Sequence, residues 1–339
     1  MVPSGFAELT SPENCCRMFA LFLFVSISVD KAALKASIYF LHLGLLWEAL
    51  RYSWDALRSG PLSWIVLAGL AFCLALEFFF GRSRPKPVAK TFFFNYSFLI
   101  LNSVLVGGLV NLFYHWINQF YLAWLPLASL RVLADKPFSV QVLVGFLVTD
   151  FTIFFSHWLR HKVAPLWHLH TIHHSETVMN PATVFLQHPL DPVAGALIAY
   201  VPLALLGGSI WAGTLVVAFD VVWGMYAHSD LPMSWGPLKY VLITPAYHRI
   251  HHSIEPRHWD KNFGHMLTLW DWLFRSAYFD VEDSFELGLR DFPVVHESHH
   301  TAWAMFAGWC RLTWYPFQAV GLLISQNRPS QRLGDPREE

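Results

Sequence analysis

The chain has 339 residues, 55% of them hydrophobic and 14% charged, with a mean hydropathy of +0.38. Soluble globular chains carry roughly 25% charged residues, so this balance argues against an ordinary soluble enzyme, and a net charge of -1 gives no footing for a nucleic-acid partner. The four cysteines, Cys15, Cys16, Cys73 and Cys310, form no Cys-x-x-Cys pair and no disulfide framework, and the adjacent Cys15 and Cys16 leave lipidation open.

Residues 1–14 read as a short polar lead. The apolar run 15–29 resembles a signal peptide but lacks a small-residue cleavage site, and more apolar segments follow it. The stretch 36–50 is short for a spanning helix, which needs about 20 residues. Residues 61–80 form a clean candidate span. The loop that follows carries Arg82, Arg84, Lys86 and Lys90 without an acid, which predicts a cytoplasmic position. Residues 92–116 are the next candidate span, 120–130 is too short to cross alone, and 131–137 reads as a turn. The next span runs from Val140 to about His157 with Asp150 inside it. On this count the chain returns to the cytoplasmic face just before His157. The orientation of the chain before residue 61 stays open.

Residues 189–222 are apolar but broken by Pro192, Pro202, Gly207 and Gly208. Two full crossings need about 40 residues plus a turn, so this stretch is predicted to dip and return, leaving His174 and His228 on one side. Residues 229–263 are mixed and polar, and 264–274 is short, aromatic and interfacial in character. Residues 280–300 are acidic, 302–323 reads as an interfacial helix, and 327–339 as a charged, disordered tail. The expected fold is an all-α integral membrane protein with a cytoplasmic, histidine-rich helical cap. Its expected divisions are N-terminal membrane helices over 1–139, a catalytic domain over 140–275, and a C-terminal cap, helix and tail over 276–339.

The histidines fall into tight groups. His157 and His161 are four apart, His170 is followed by His173 and His174, and far downstream His248 is followed by His251 and His252. Residues three and four apart share a helix face, so each group can aim several nitrogens at one point. Eight imidazoles exceed the four ligands of one structural zinc and suit two metals. Imidazole serves zinc and iron alike. A redox-active pair facing a membrane fits oxidation of an unactivated C–H bond by dioxygen, which amino-acid side chains cannot perform alone. Asp150, an acid inside an apolar helix, is either paired structurally or orients a ligand imidazole. His168 falls off the ligand face and reads as structural.

Several motifs carry a family resemblance: Leu166-Trp-His-Leu-His-Thr-Ile-His-His-Ser175 with Met179-Asn180 and Thr183, then His188-Pro-Leu-Asp191. Further on come Thr244-Pro-Ala-Tyr-His-Arg-Ile-His-His-Ser253, Asp260-Lys-Asn262-Phe-Gly264 and Trp270-Asp271. Together they resemble the fatty acid hydroxylase and sterol desaturase superfamily over about residues 150–271. The resemblance implies an integral membrane enzyme with two histidine-bound metals, expected to be iron though zinc can replace it in a purified sample. It also implies dioxygen, a lipid or sterol-like substrate and a separate electron-donor protein. Carried over residue by residue, it assigns His157, His161, His170, His173, His174, His248, His251 and His252 as ligands. It adds His228 in Tyr226-Ala-His-Ser-Asp230, where the family often has Asn at the last position. His188 is placed near substrate or a ligand, and Asp260 and Asn262 are candidates to orient the last group. His296, His299 and His300 repeat the spacing outside the matched region and are read as support or coincidence.

The function expected is a multi-pass membrane lipid hydroxylase with its site on the cytoplasmic face, in a bacterial inner membrane or endoplasmic reticulum. A desaturase or methyl oxidase using the same metals is the alternative. A non-catalytic membrane protein that binds or senses metal is the alternative of a different class.

Overall fold

The computed structural model describes residues 61–82, 85–102, 131–280, 285–289, 292 and 301–325. They are helical, with no strand among the described residues and only two isolated bridges, Leu242 with Leu267 and Ser253 with Leu287. Nine α-helices follow in order: α1 Pro61–Phe80, α2 Pro85–Leu101, α3 Phe138–Lys162, α4 Ala164–His174, α5 Leu190–Leu205, α6 Ile210–Ala227, α7 Pro245–His251, α8 Leu269–Leu273 and α9 Ala302–Ser325. The candidate span over 61–80 coincides with α1. The span expected from residue 92 begins earlier, at Pro85, so half of the basic loop is helical. Proline lacks a donor that the first helical turn would leave unused, and its fixed φ suits that position. The remainder of that span, the runs before residue 61, and His296, His299 and His300 lie outside the described residues.

Helix α3 is the one described helix both long and apolar enough to cross a membrane. Its 25 residues span about 37 Å at 1.5 Å per residue. It packs against α5 and α6, and α6 packs against α1. Thr152 Oγ1, inside α3, donates to the Ala199 carbonyl of α5 at 2.7 Å. The stretch expected to dip and return consists of α5 and α6, joined through a turn at Gly207. Its φ of +68° brings Arg131 Cα within 2.9 Å of where a side chain would begin, so only glycine fits there. The outward faces of α1, α3 and α6 expose Trp64, Leu67, Phe72, Leu143, Trp211 and Leu215. Inward, Phe94 and Phe98 of α2 pack with Ile172 of α4 and Trp309 of α9.

Two breaks in the chain place the histidines. Val163 is extended (φ -104°, ψ 111°), and Pro165 sits in the first turn of α4. The chain therefore turns between His161 and His170, and α4 folds back toward the end of α3. The short helix α7 is capped by Thr244, whose Oγ1 accepts from Tyr247 N at 3.2 Å, with Pro245 at its first position.

Candidate metal centre

All nine histidines expected as ligands meet at the ends of α3, α4, α6 and α7. They form two buried groups: His157, His161, His170, His174 and His251; and His173, His228, His248 and His252. Within each group the potential ligand nitrogens lie within 4.8 Å of one another. The split differs from the expectation that each sequence group aims at one point. At 100° per residue, histidines four apart point nearly the same way, and those three apart diverge by 60°. So His157 with His161, His170 with His174, and His248 with His252 each stay together. His173 and His251 cross to the opposite group.

The hydrogen bonds settle which nitrogen points inward. A neutral imidazole has one N–H and one lone pair. His157 Nδ1 lies 2.9 Å from Phe263 O, His170 Nδ1 2.9 Å from Asp191 Oδ2, His251 Nδ1 2.8 Å from Lys261 O and His228 Nδ1 2.7 Å from Gly224 O. Each partner can only accept, so these four Nδ1 atoms carry the protons and the four Nε2 atoms present lone pairs. No hydrogen-bond partner meets His157 Nε2, His161 Nε2 or His170 Nε2, although all are buried.

In the four-histidine group, His228 Nε2 is 3.0 Å from both His173 Nε2 and His248 Nε2, and His248 Nε2 is 3.2 Å from His252 Nε2. His251 Nε2 lies 3.1 Å from His174 Nε2 in the other group. One lone pair on His228 cannot satisfy two donors, while His173 Nδ1, His248 Nδ1 and His252 Nδ1 are buried without partners. Two metal–nitrogen bonds of about 2.0–2.1 Å at right angles separate their nitrogens by about 2.8–3.0 Å, and at the tetrahedral angle by about 3.3–3.4 Å. The observed spacings fall in that window, so the donor set fits a cation in each group. Burial, followed by neighbouring imidazoles, holds His174, His248 and His252 well below the ordinary histidine range. They are therefore neutral, as metal ligation requires.

The remaining candidates act elsewhere. Asp150 makes no hydrogen bond to any of the nine histidines: Oδ1 accepts from Met266 N at 2.9 Å and Oδ2 from Trp270 Nε1 at 2.8 Å. It anchors the loop that begins at Phe263, whose carbonyl holds His157. Asp260 and Asn262 flank Lys261, whose carbonyl holds His251, and both are left-handed, with φ of 58° and 60°. Asp260 pairs with Lys162 at 2.7 Å. Asn262 Nδ2 donates to Tyr247 O and Tyr278 O, and Oδ1 accepts from Tyr278 N. They shape the turn that presents Lys261 O to His251. His188 accepts from Leu190 N at Nδ1 and donates from Nε2 to Thr313 O at 2.9 Å, joining α5 to α9. His168 is buried in α4 and belongs to neither group.

Two carboxylates of the centre received no role from sequence reasoning. Asp191 holds His170 and also faces Arg160 at 3.4 Å. Asp271, fully buried, accepts from Phe263 N (2.9 Å), Gly264 N (2.8 Å), Ser276 Oγ (2.6 Å) and Tyr247 OH (3.0 Å). A Cβ on Gly264 would lie 2.7 Å from Asp271 Oδ2 and 2.8 Å from Ile243 Cδ1, so glycine is required there. Both acids stood inside quoted motifs, and an acid at 0% exposure is itself a signal once burial is known. The carbonyls of Gly224, Lys261 and Phe263 have no side-chain signature at all.

Comparison with known proteins agrees with this geometry. Residues 142–276 match the family model described as fatty acid hydroxylase. Ornithine lipid hydroxylase OlsE of Rhizobium tropici is 30% identical over 137 residues, 40% of this chain and 41% of that protein. Alkylglycerol monooxygenase of Homo sapiens is 33% identical over 140 residues, 41% of this chain and 30% of that protein. Delta(7)-sterol-C5(6)-desaturase of Nicotiana tabacum is 24% identical over 150 residues, 43% of this chain and 52% of that protein. The chain thus spans about half or less of the length of these relatives. No solved structure matches it significantly. The matched segment contains all nine converging histidines together with Asp191 and Asp271, and over that segment the chain is similar to the fatty acid hydroxylase family.

Proposed function

We propose that the chain is a membrane-bound lipid hydroxylase, in which two metal ions, iron in the working enzyme, are held by five and four histidines. The observation that carries this reading is the convergence of nine buried imidazoles inside a segment whose relatives are named for lipid hydroxylation and monooxygenation. When bound, the metals supply activation of dioxygen, with R–H, O2, two electrons and two protons giving R–OH and water. The electrons come from a separate donor protein. The residues of the chain hold the imidazoles neutral and aimed. Gly224, Lys261, Phe263 and Asp191 fix the ring orientations, and the apolar helices around α3 form a wall against which an alkyl chain can lie. In this reading residues 1–139 contribute membrane helices, 140–275 the catalytic domain, and 276–339 a cap.

A second reading, desaturation at the same metals, is favoured by the similarity to a plant enzyme named as a desaturase. The two reactions differ in product. Lipid mass spectrometry of cells with and without the gene is expected to reveal a species heavier by one oxygen atom. A species lacking two hydrogens would select desaturation, and an unchanged lipid profile with metal still bound would leave only a binding role.

In the same reading the metal centre lies at the cytoplasmic membrane face. Arg82 N donates to Asp230 O at 2.9 Å, which brings the basic stretch after α1 beside the residue two past His228. A basic stretch of this kind marks the inside. In Lys162→Cys, a membrane-impermeant thiol probe is expected to react only from the cytoplasmic side of sealed vesicles. Reaction from the opposite side overturns the placement.

A further inference from the structure

We propose that two short non-spanning segments, Trp235–Val241 and Leu269–Phe274, form a platform embedded in the bilayer beside α3. Its partner is the lipid of the leaflet next to the metal centre. The inference rests on the reading that α3 spans the membrane.

The two segments are joined to each other. Thr268 N donates to Val241 O at 3.0 Å, Thr268 Oγ1 donates to Tyr240 O at 2.6 Å, and Leu242 bridges to Leu267. Together they expose an unusual set of large apolar side chains: Leu238, Val241, Leu269, Trp272, Leu273 and Phe274 are each about half exposed or more. A chain surrounded by water at this face would hide such a patch.

Their depth follows from α3. The Phe274 ring lies 5.2 Å from that of Phe154 and 6.4 Å from that of Phe151, and the Trp270 ring lies 4.9 Å from that of Phe151, tilted by 59°. Phe151 and Phe154 precede His157 by six and three residues, so they sit roughly 4.5–9 Å back along the apolar part of α3. Side chains packed there and facing outward meet acyl chains or the headgroup boundary. The chemistry of the patch suits that boundary. It carries Trp235, Tyr240 and Trp272, with Lys239 Nζ 5.2 Å from the centroid of Tyr240 and Arg275 exposed after Phe274.

The backbone is prepared for the same environment. Irregular chain at membrane depth survives only if its polar groups are answered by protein. The non-helical stretch leading into α8 has its Phe263, Gly264 and Met266 N–H groups taken by the buried carboxylates of Asp271 and Asp150. Two acids at this depth thereby have a physical reason.

The test uses the full chain in liposomes of phosphatidylcholine and phosphatidylglycerol, with Cys15 and Cys16 replaced by serine and the buried Cys73 and Cys310 retained. Nitroxide labels are attached in Leu273→Cys, Leu238→Cys and, as a reference on α3, Leu143→Cys. Relative accessibility to dioxygen and to a water-soluble nickel chelate is read by power saturation. All three labels are expected to favour dioxygen, with the two platform labels shallower than Leu143→Cys. Platform labels that favour the chelate while Leu143→Cys favours dioxygen overturn the platform alone and make the patch a surface for a soluble protein. A reference label that also favours the chelate overturns the spanning reading, and the platform with it.

Discussion

His173→Ala is expected to strip a ligand from the four-histidine group, lower its metal occupancy and reduce lipid oxidation to background, while the protein stays folded in the membrane. His173 is the ring that α4 sends across to His228, 3.0 Å away, and it is the one α4 residue among that group's four histidines. Its loss leaves three ligands, an arrangement open to water and poorly selective. Asp191→Asn tests the next level out. It removes the carboxylate that accepts from His170 Nδ1 but leaves all nine ligands, and loss of such an orienting partner costs about 10–100-fold in metal affinity or activity. His173→Ala should exceed that range and Asp191→Asn fall within it. His296→Ala, outside the matched segment of the sequence, should retain most activity. Metal content by elemental analysis and product by mass spectrometry give two independent readouts. Equal, complete losses in His173→Ala and His296→Ala with both proteins folded would contradict the ligand set.

Asp271→Ala is expected to be the most damaging substitution for stability among residues that bind no metal. It strands four donors at once: Phe263 N, Gly264 N, Ser276 Oγ and Tyr247 OH. One buried donor left without an acceptor costs about 1–3 kcal/mol. The costs are not additive, because the loop can relax, and a total of about 3–5 kcal/mol is the scale for breaking a buried charged network. Folded proteins have only about 5–15 kcal/mol in reserve. Because the Phe263 carbonyl holds His157, the loop and the five-histidine group should loosen together. Thermal unfolding in detergent should show a midpoint lowered by several degrees and earlier metal release. Asp271→Asn, which keeps one acceptor oxygen, should lie between Asp271→Ala and the parent. An unchanged midpoint in Asp271→Ala would show that the network carries no weight.

The ligands were legible in the sequence because helical periodicity is a local property. Spacings of three and four residues are visible without knowing where a helix goes, so His157 through His252 stand out. Which group each joins was not legible. It depends on how α4 and α7 are rotated against α3, and that follows from the break at Val163 and the cap at Thr244. Asp150 shows the same limit from the other side. Its place inside an apolar helix marked it as functional or paired, yet only the fold reveals that its partners are Met266 N and Trp270 Nε1. The resemblance to a known superfamily supplied His228, whose isolation gives no periodic signal, and that ring stands in the middle of the four-histidine group. Helix ends were less accurate than helix existence: the span expected from residue 92 starts at Pro85, inside the stretch expected to be a basic loop.

His157, His228 and His251 take their orientation from main-chain oxygens of Phe263, Gly224 and Lys261. A point substitution changes a side chain and leaves a carbonyl where it was, so no single-codon exchange deletes these acceptors outright. A one-residue insertion or deletion does, because it rotates the following carbonyls away from their rings. Between His251 and Asp271, then, the spacing of the chain carries more of the metal centre's design than the identity of its exposed letters. A library that varies Lys261 freely while holding the loop at constant length is the natural place to re-engineer this protein's surface without disturbing its clustered histidines.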